Sequence, residues 1–284
     1  MKKFLIFIIY HCIFLSLFAN PDYFGVKFYY ASEPVALIIS QNKIETEFVD
    51  DTGIKTEVEK GTYLDKKAFN CFKGELNDYA VLDCTINNNQ YLTLLKKNNQ
   101  KNKYINWTMS YVRQVNMTQN SIPSSSSTEL IPLKVVFAQS FVSETNKDGK
   151  VIKYLPEYTS LLYYPWAVNK NKNKTIVLNT DFYRDEKQNY LPIKALIFVN
   201  GYVSPEKPYL YERNARARKI QISYGKTMVE VELKDIGNYQ VIELPESINP
   251  KNNKGISITI TDWYEGTKYD DIVISGIYYI NGFY

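Results

Sequence analysis

Short apolar runs broken by turn signals dominate the chain, and no stretch beyond its first twenty residues has the three-to-four periodicity of an amphipathic helix. Between Tyr23 and about Val115 the runs VKFYY, VALIIS, TEFVD, YAVLDC, YLTLLKK and INWTMSYV are each strand-length. They are separated by turns such as Asp51-Thr52-Gly53, Lys73-Gly74 and Asn87-Asn88-Asn89. This pattern predicts a small antiparallel β domain over residues 20–115. A Ser-rich stretch, residues 116–129 with Ser124 to Ser127 in a row, reads as a linker. From Leu130 to Tyr284 the runs KVVFAQSF, KTIVLN, IKALIFV, RKIQISY, TMVEVEL, YQVIEL, GISITIT and IVISGIYYI predict a β-sandwich of jelly-roll type. Pro156, Pro165, Pro192, Pro205, Pro208, Pro245 and Pro250 all fall between those runs, as sheet ladders require. The expected fold class is therefore all-β, a jelly-roll sandwich preceded by a small antiparallel β domain.

Strand parity then sorts the sandwich loops. If consecutive strands alternate in direction and Lys194–Val199 runs upward, the loop from Asn200 to Arg216 lies at the top. So do Lys234–Tyr239, Asp262–Asp271 and the segment from Tyr163 to Lys174, which contains Trp166. Two of these loops, NGYVSPEKPYLYERNAR and DWYEGTKYDD, carry far more aromatic and charged side chains than a chain reversal needs. The expected consequence is one rim that meets a polar partner with flat apolar faces.

The first residues narrow the chemistry. Lys2 and Lys3, the apolar run Phe4–Phe18 and Ala19 read as a secretory signal over residues 1–19, cleaved near Ala19, and the run is short for a membrane span. The expected location is secreted, periplasmic or at the cell surface, with membrane contact only through the signal segment. Cleavage removes His11, the one histidine of the chain, and with it any histidine base, His-ligated zinc or histidine pH switch. It also removes Cys12, leaving Cys71 and Cys84; in an exported chain this pair is expected to form a disulfide, with two buried thiols as the other reading. Taking Lys2 and Lys3 from 34 basic residues leaves 32 against 30 acidic ones, a balance that gives no argument for nucleic acid or an anionic membrane. The 25 tyrosines favour strands and supply stacking faces, although AT-rich coding alone raises their number.

The C-terminal motifs carry a likeness. F-V-N-G-Y at 198–202, K-P-Y-L-Y at 207–211, R-N-A-R-A-R-K-I-Q-I at 213–222 and D-W-Y-E-G-T-K-Y-D-D-I-V-I-S-G-I at 262–277 together resemble a discoidin-like (F5/8 type C) β-sandwich. More narrowly they resemble the glycan-binding or translocation module of secreted bacterial NAD glycohydrolases. K-Y-L-P-E-Y at 153–158 and P-W-A-V-N at 165–169 are similar to that module's first loops. The resemblance implies a jelly roll that recognises carbohydrate. Two departures stand: Gly276 occupies a position where an acidic residue is expected, and Lys170–Lys174 lacks a glycine-rich turn. The enzyme domain of such glycohydrolases is not visible in the chain, and the N-terminal domain resembles no family.

The candidate glycan contacts are Trp166, Tyr202, Tyr209, Trp263 and Tyr264 as stacking faces, with Asn200, Lys207, Arg213, Asn214 and Lys268 as donors to hydroxyl or acidic groups. Four of them have a structural alternative: Trp166 and Trp263 as plugs of the sandwich ends, Asn200 and Asn214 as turn residues. Arg216 and Arg218 alternate on a strand, so one of them is expected to be buried against an acid such as Asp271. Asp262, Asp270 and Asp271 suggest calcium, although the dense acidic spacing of a calcium loop is missing; no other cofactor is implied. Asp50-Asp51 or Glu45/Glu47 are the only grounds for a carboxylate-dependent enzyme, and alternating acids on a strand are more often a solvated face. The leading expectation is a non-catalytic protein that binds glycans or glycoconjugates. The alternative is an envelope structural or interaction module that offers the same rim to another envelope or host-surface protein.

Overall fold

The computed structural model describes residues 21–30, 35–66, 68–86, 89–96, 110–114, 130–159, 165–180, 192–250 and 255–280. The signal and linker readings fall outside these residues. The described chain is built of two β units, with one five-residue helix.

The first unit is a closed antiparallel barrel in up-and-down order: β1 (Lys27–Tyr30), β2 (Ala36–Ile39), β3 (Lys43–Asp50), β4 (Gly53–Leu64), β5 (Asn70–Gly74), β6 (Asp78–Ile86), β7 (Asn89–Lys96) and β8 (Ser110–Gln114). Tyr29 of β1 pairs with Val112 of β8, which closes the ring and removes the sheet edges there. Alternation assigns the faces. Phe28, Leu37, Ile39, Ile44, Tyr63, Phe72, Val81 and Leu92 come from successive strands yet form one buried cluster, the barrel interior. The intervening positions on β5–β7 (Cys71, Ala80, Leu82, Cys84, Tyr91 and Leu95) point outward and are buried all the same, because the second unit lies on them.

The expected disulfide does not fit this register. Cys71 pairs across the strands with Ala80, and Cys84 lies four residues further along β6, opposite Tyr91. Four strand residues span about 13 Å, twice the Cα separation a disulfide allows. Both thiols are free and buried, and burial raises the pKa of each.

The second unit is a two-layer sandwich. One layer runs β10 (Lys134–Ala138), β14 (Thr175–Asn179), β19 (Gly255–Tyr264), β16 (Ala215–Tyr224) and β17 (Thr227–Glu232). The other runs β13 (Trp166–Asn169), β20 (Asp271–Ile280), β15 (Ile193–Asn200) and β18 (Tyr239–Ile248), with β9 (Leu130–Pro132) also on β20. The first residues of β16 pair in parallel with β20 and join the layers at one end. A small hairpin, β11 (Ser143–Thr145) and β12 (Val151–Lys153), stands apart. In β19, Ile256, Ile258 and Ile260 point into the core while Ser257, Thr259 and Thr261 point away.

β15 departs from that alternation, and the departure explains how the units meet. Leu196 and Phe198 pack into the sandwich core; Ile197 and Val199, on the opposite face, pack against the barrel. A strand covered on both sides needs apolar residues at successive positions, which is why IKALIFV reads as a continuous run. Polar contacts ring this joint. The Tyr239 hydroxyl lies 2.8 Å from that of Thr93, and the Gly237 amide donates to the Ala68 carbonyl at 2.6 Å. Past the start of β5, the edge of β6 facing it has no ladder partner among the described residues. There the Asp83 amide donates to Asn238 Oδ1 at 2.8 Å, and Asn238 Nδ2 returns a bond to the Asp83 carboxylate at 3.0 Å. A sandwich loop thus completes a barrel ladder.

Asp83 carries a pH signature. Burial raises its pKa, the Asn238 amide opposes that, and the charge of Asp22 adds to it. A carboxyl raised in the folded state favours folding fully below the unfolded carboxylate pKa, and that contribution is lost as pH rises through the folded value. Asp83→Asn keeps an oxygen for the Asn238 amide and carries no charge, so it should melt several degrees above the parent at neutral pH. The gap should close near pH 3. Melting curves from pH 3 to 8 check this, and a pH-independent gap would refute the assignment.

Candidate functional site

The loops assigned to one rim by parity do meet there. Helix α1 (Tyr209–Arg213) is short, entered at Pro208 and ended by Asn214, whose amide folds back onto the Leu210 carbonyl at 2.8 Å. The neighbouring loop is tied to it through the backbone. Thr267 N–H donates to Glu212 O at 2.9 Å, and the amides of Lys268 and Tyr269 both donate to Arg213 O, at 3.1 and 2.8 Å. Gly266 has no room for a side chain, because a Cβ there would lie 2.5 Å from the Asn214 carbonyl carbon. The Lys170 loop joins from the other side, its amide on Asp270 O at 3.2 Å and its ammonium ion-paired with Asp270 and Glu265.

Arg216 is the hub. Its guanidinium binds Asp235 with Nε at 2.9 Å and Nη2 at 2.7 Å, and donates through Nη1 to the carbonyls of Asn214 and Glu265 at 3.0 and 2.8 Å. Burial works against its charge, and the paired Asp235 carboxylate outweighs it, leaving the arginine pKa raised. The Tyr211 hydroxyl donates to the same carboxylate at 3.2 Å, its pKa raised by burial and by that negative charge. The acid expected here was Asp271. Asp235 takes the role because the loop after β17 crosses the rim beside Arg216, whereas Asp271 begins β20 and accepts from Asn169 at 3.4 Å. Arg218, one strand pleat away, is exposed and pairs with Asp262, whose pKa it lowers.

Three expected contact residues are interior. Trp166 pairs with Ile274, three residues into β20, so its ring packs in the core at 2% exposure and its Nε1 donates to Ser140 O. Asn200 is fully buried: its amide donates to Ala217 O and Lys234 O, and its oxygen accepts from the amides of Ala217 and Gly201, leaving it nothing to offer a ligand. Asn214 is spent on capping the helix. The side of the rim formed by Val203, Tyr211 and Tyr239 is also unavailable, being packed under the barrel. Gly276 belongs to that covered side. A Cβ there would lie 2.5 Å from the Tyr278 ring, so the ring fills the place where an acidic side chain was expected.

Trp263 and Tyr264 are half-buried and anchored. The indole donates to Glu265 at 3.0 Å and lies under the Lys174 ammonium at 5.4 Å, and the Tyr264 hydroxyl donates to Leu233 O at 3.0 Å. Lys174 also caps the carbonyls of Lys170 and Lys172 at 3.1 Å, doing with an ammonium what a glycine-rich turn would do by conformation. Tyr202 is half-buried in an edge contact with Tyr154. What projects freely is a ridge of Lys207, Tyr209, Arg213, Lys268 and Tyr269. Tyr209 is 47% exposed with the Arg213 guanidinium 4.4 Å from its ring centre; Tyr269 is 36% exposed with the Lys268 ammonium at 5.2 Å. Tyr269 and Asp235 were not singled out from the sequence. Tyr269 had a signal, a tyrosine flanked by charges in a loop already marked; Asp235 had none.

The acids suggested for calcium are dispersed among Arg218, Lys170 and Asn169, and among the described residues no cluster of three or more metal-binding side chains occurs. In the barrel, Glu47 pairs with Lys27 at 2.5 Å, Glu45 with Lys43 at 2.9 Å, and Asp50 closes the turn onto Thr52, so each of these three acids is engaged by a neighbour. No described helix is long and apolar enough to cross a membrane.

Comparison with curated proteins and with solved structures gave no match. Residues 179–280, from the end of β14 to the end of β20 and including α1 and both aromatic loops, match the model of a family, the NAD glycohydrolase translocation F5/8 type C domain, so this stretch is similar to a discoidin-like module.

Proposed function

We propose that this is a secreted, non-catalytic carbohydrate-binding protein, whose discoidin-like module recognises glycans through the exposed ridge of α1 and the 265–270 loop. The observation that carries the reading is the paired arrangement of Tyr209 with Arg213 and Tyr269 with Lys268 on two loops locked together by backbone hydrogen bonds. An aromatic face suits the C–H side of a pyranose, and a cation beside it serves hydroxyls or an acidic substituent. The locked backbone lowers the ordering cost of binding. A shallow ridge implies weak affinity per site, and recognition then depends on multivalent presentation. The secretory reading of the first residues and the family of the module agree with a target outside the cell.

The test is a glycan array probed with the chain lacking its first nineteen residues, with and without calcium. Tyr209→Ala and Tyr269→Ala should each weaken binding about tenfold, the size of one stacking contact, while leaving the melting temperature unchanged. A blank array from folded protein, or binding indifferent to both substitutions, would turn the ridge into a protein contact.

A further inference from the structure

The barrel is not closed along its whole height. β4 is twelve residues long, but β5 covers only Gly61–Leu64 of it, so among the described residues nothing pairs with the other edge of Gly53–Glu59. The polarity of that edge follows from the hairpin. Asp50 and Gly53 flank a two-residue turn, so the odd-numbered residues of β4 direct their backbone bonds to β3 and the even-numbered ones direct theirs outward. Glu75 N–H donating to Lys60 O at 2.9 Å, on the outer side, confirms the phase. Ile54, Thr56 and Val58 therefore present a row of N–H and C=O groups that no described residue pairs with. The side chains beside them are apolar and exposed: Ile54 at 75%, Val58 at 50% and the cross-strand neighbour Val49 at 55%.

Such an edge invites any strand unless charges forbid it, and here Lys55 and Glu57 stand guard. Those charges have one matching partner. An antiparallel copy of the same segment, with its two-fold axis at Thr56, sets Ile54 opposite Val58, Lys55 opposite Glu57 and Thr56 opposite itself. The outward-facing pairs exchange both their N–H···O bonds in this register. Sliding one copy by two residues puts Lys55 against Lys55 or Glu57 against Glu57, and a slip by one residue sets outward backbone groups against inward ones. We infer that the β4 edge is a homodimer interface, in which two copies pair through Ile54–Val58 and extend the hairpin into a four-stranded sheet. The apolar rows Val49–Ile54–Val58 of the two copies then run continuously across the axis.

Charge reversal tests the register, and no described ion pair within the chain uses either charge. Sedimentation of the whole chain should show a concentration-dependent dimer. Lys55→Glu and Glu57→Lys should each weaken it at least tenfold, because every copy then meets a like charge at both symmetric positions. The double variant Lys55→Glu/Glu57→Lys should recover the dimer. Mixing the two single variants should also recover it, as a heterodimer, since each supplies the charge the other lacks. Unchanged melting curves establish that the variants are folded. A chain that stays monomeric to its solubility limit overturns the inference, as does a dimer insensitive to the single reversals or a mixture that fails to associate.

Discussion

A chain cut back to residues 130–284 should be found aggregated, or soluble only with an exposed dye-binding surface, although it contains the entire sandwich. Removing the barrel uncovers Ile197, Val199, Val203, Tyr239 and Tyr278 together, a contiguous apolar face of a kind monomeric proteins rarely leave in water. The whole chain, by contrast, should melt in one cooperative transition, since the joint is packed like an interior. Tyr239 is the residue to probe. It is 6% exposed, meets Tyr278 edge-on with ring centres 6.1 Å apart, and reaches the Thr93 hydroxyl across the joint. Tyr239→Ala should cost about 3–5 kcal/mol, the range for truncating a buried aromatic, whereas Tyr239→Phe should cost about 1 kcal/mol for the lost hydrogen bond. Light scattering on the shortened chain and urea titration of the two variants measure this. A control separates exposure from misfolding: Ile197→Thr with Val199→Thr should make the shortened chain soluble while destabilising the complete one. A monomeric, cooperatively melting 130–284 fragment would show that the two units are independent.

The joint also marks how far the sequence could be read. The alternation of GISITIT reports its strand because one face of β19 stays out of the core, and all the prolines expected between runs lie outside the sandwich strands except Pro245, which sits inside β18 where the register with β15 shifts. Parity carried the loops to one end because no strand between Lys194 and Tyr264 was missed. β4 escaped notice for a physical reason: its pleat sets Lys55, Glu57 and Glu59 on one side and leaves Ile54 and Val58 in solvent, so no buried stripe shows. β5 is five residues ending in glycine. Barrel closure pairs Tyr29 with Val112, a contact between distant residues that no local pattern encodes. Site residues were harder still, because the side chains that stack on ligands are those that fill cores. Trp166 and Tyr209 look alike in the sequence. Register decides between them, Trp166 falling opposite Ile274 and Tyr209 on the outer face of a helical turn.

Arg216 is where stability and the proposed recognition meet, and Arg216→Ala should have the largest effect of any substitution on the rim. The loss is not of one ion pair. Removing the guanidinium takes from Asp235 the two bonds it accepts from Arg216, leaving the one from the Tyr211 hydroxyl, removes a donor from the carbonyls of Asn214 and Glu265, and uncovers one side of Tyr211. Breaking a fully buried pair costs about 3–5 kcal/mol. The Asp235 side chain is 36% exposed, so water recovers part of that, and about 2–3 kcal/mol is expected. Lysine should rescue little, because a single ammonium does not span two carboxylate oxygens and two carbonyls disposed around a plane. Arg218→Ala, at the exposed pair with Asp262, should leave stability nearly unchanged. The sharper readout is local. The amides of Thr267, Lys268 and Tyr269 are protected only while the loop stays docked on Glu212 and Arg213, and Arg216 holds that loop through the Glu265 carbonyl. In Arg216→Lys, which keeps the charge and most of the volume, hydrogen exchange at those three amides should quicken more than at the core strands, and glycan binding should fall with it. Exchange that stays slow there while the protein as a whole loses stability would mean that Arg216 supports the fold without ordering the ridge.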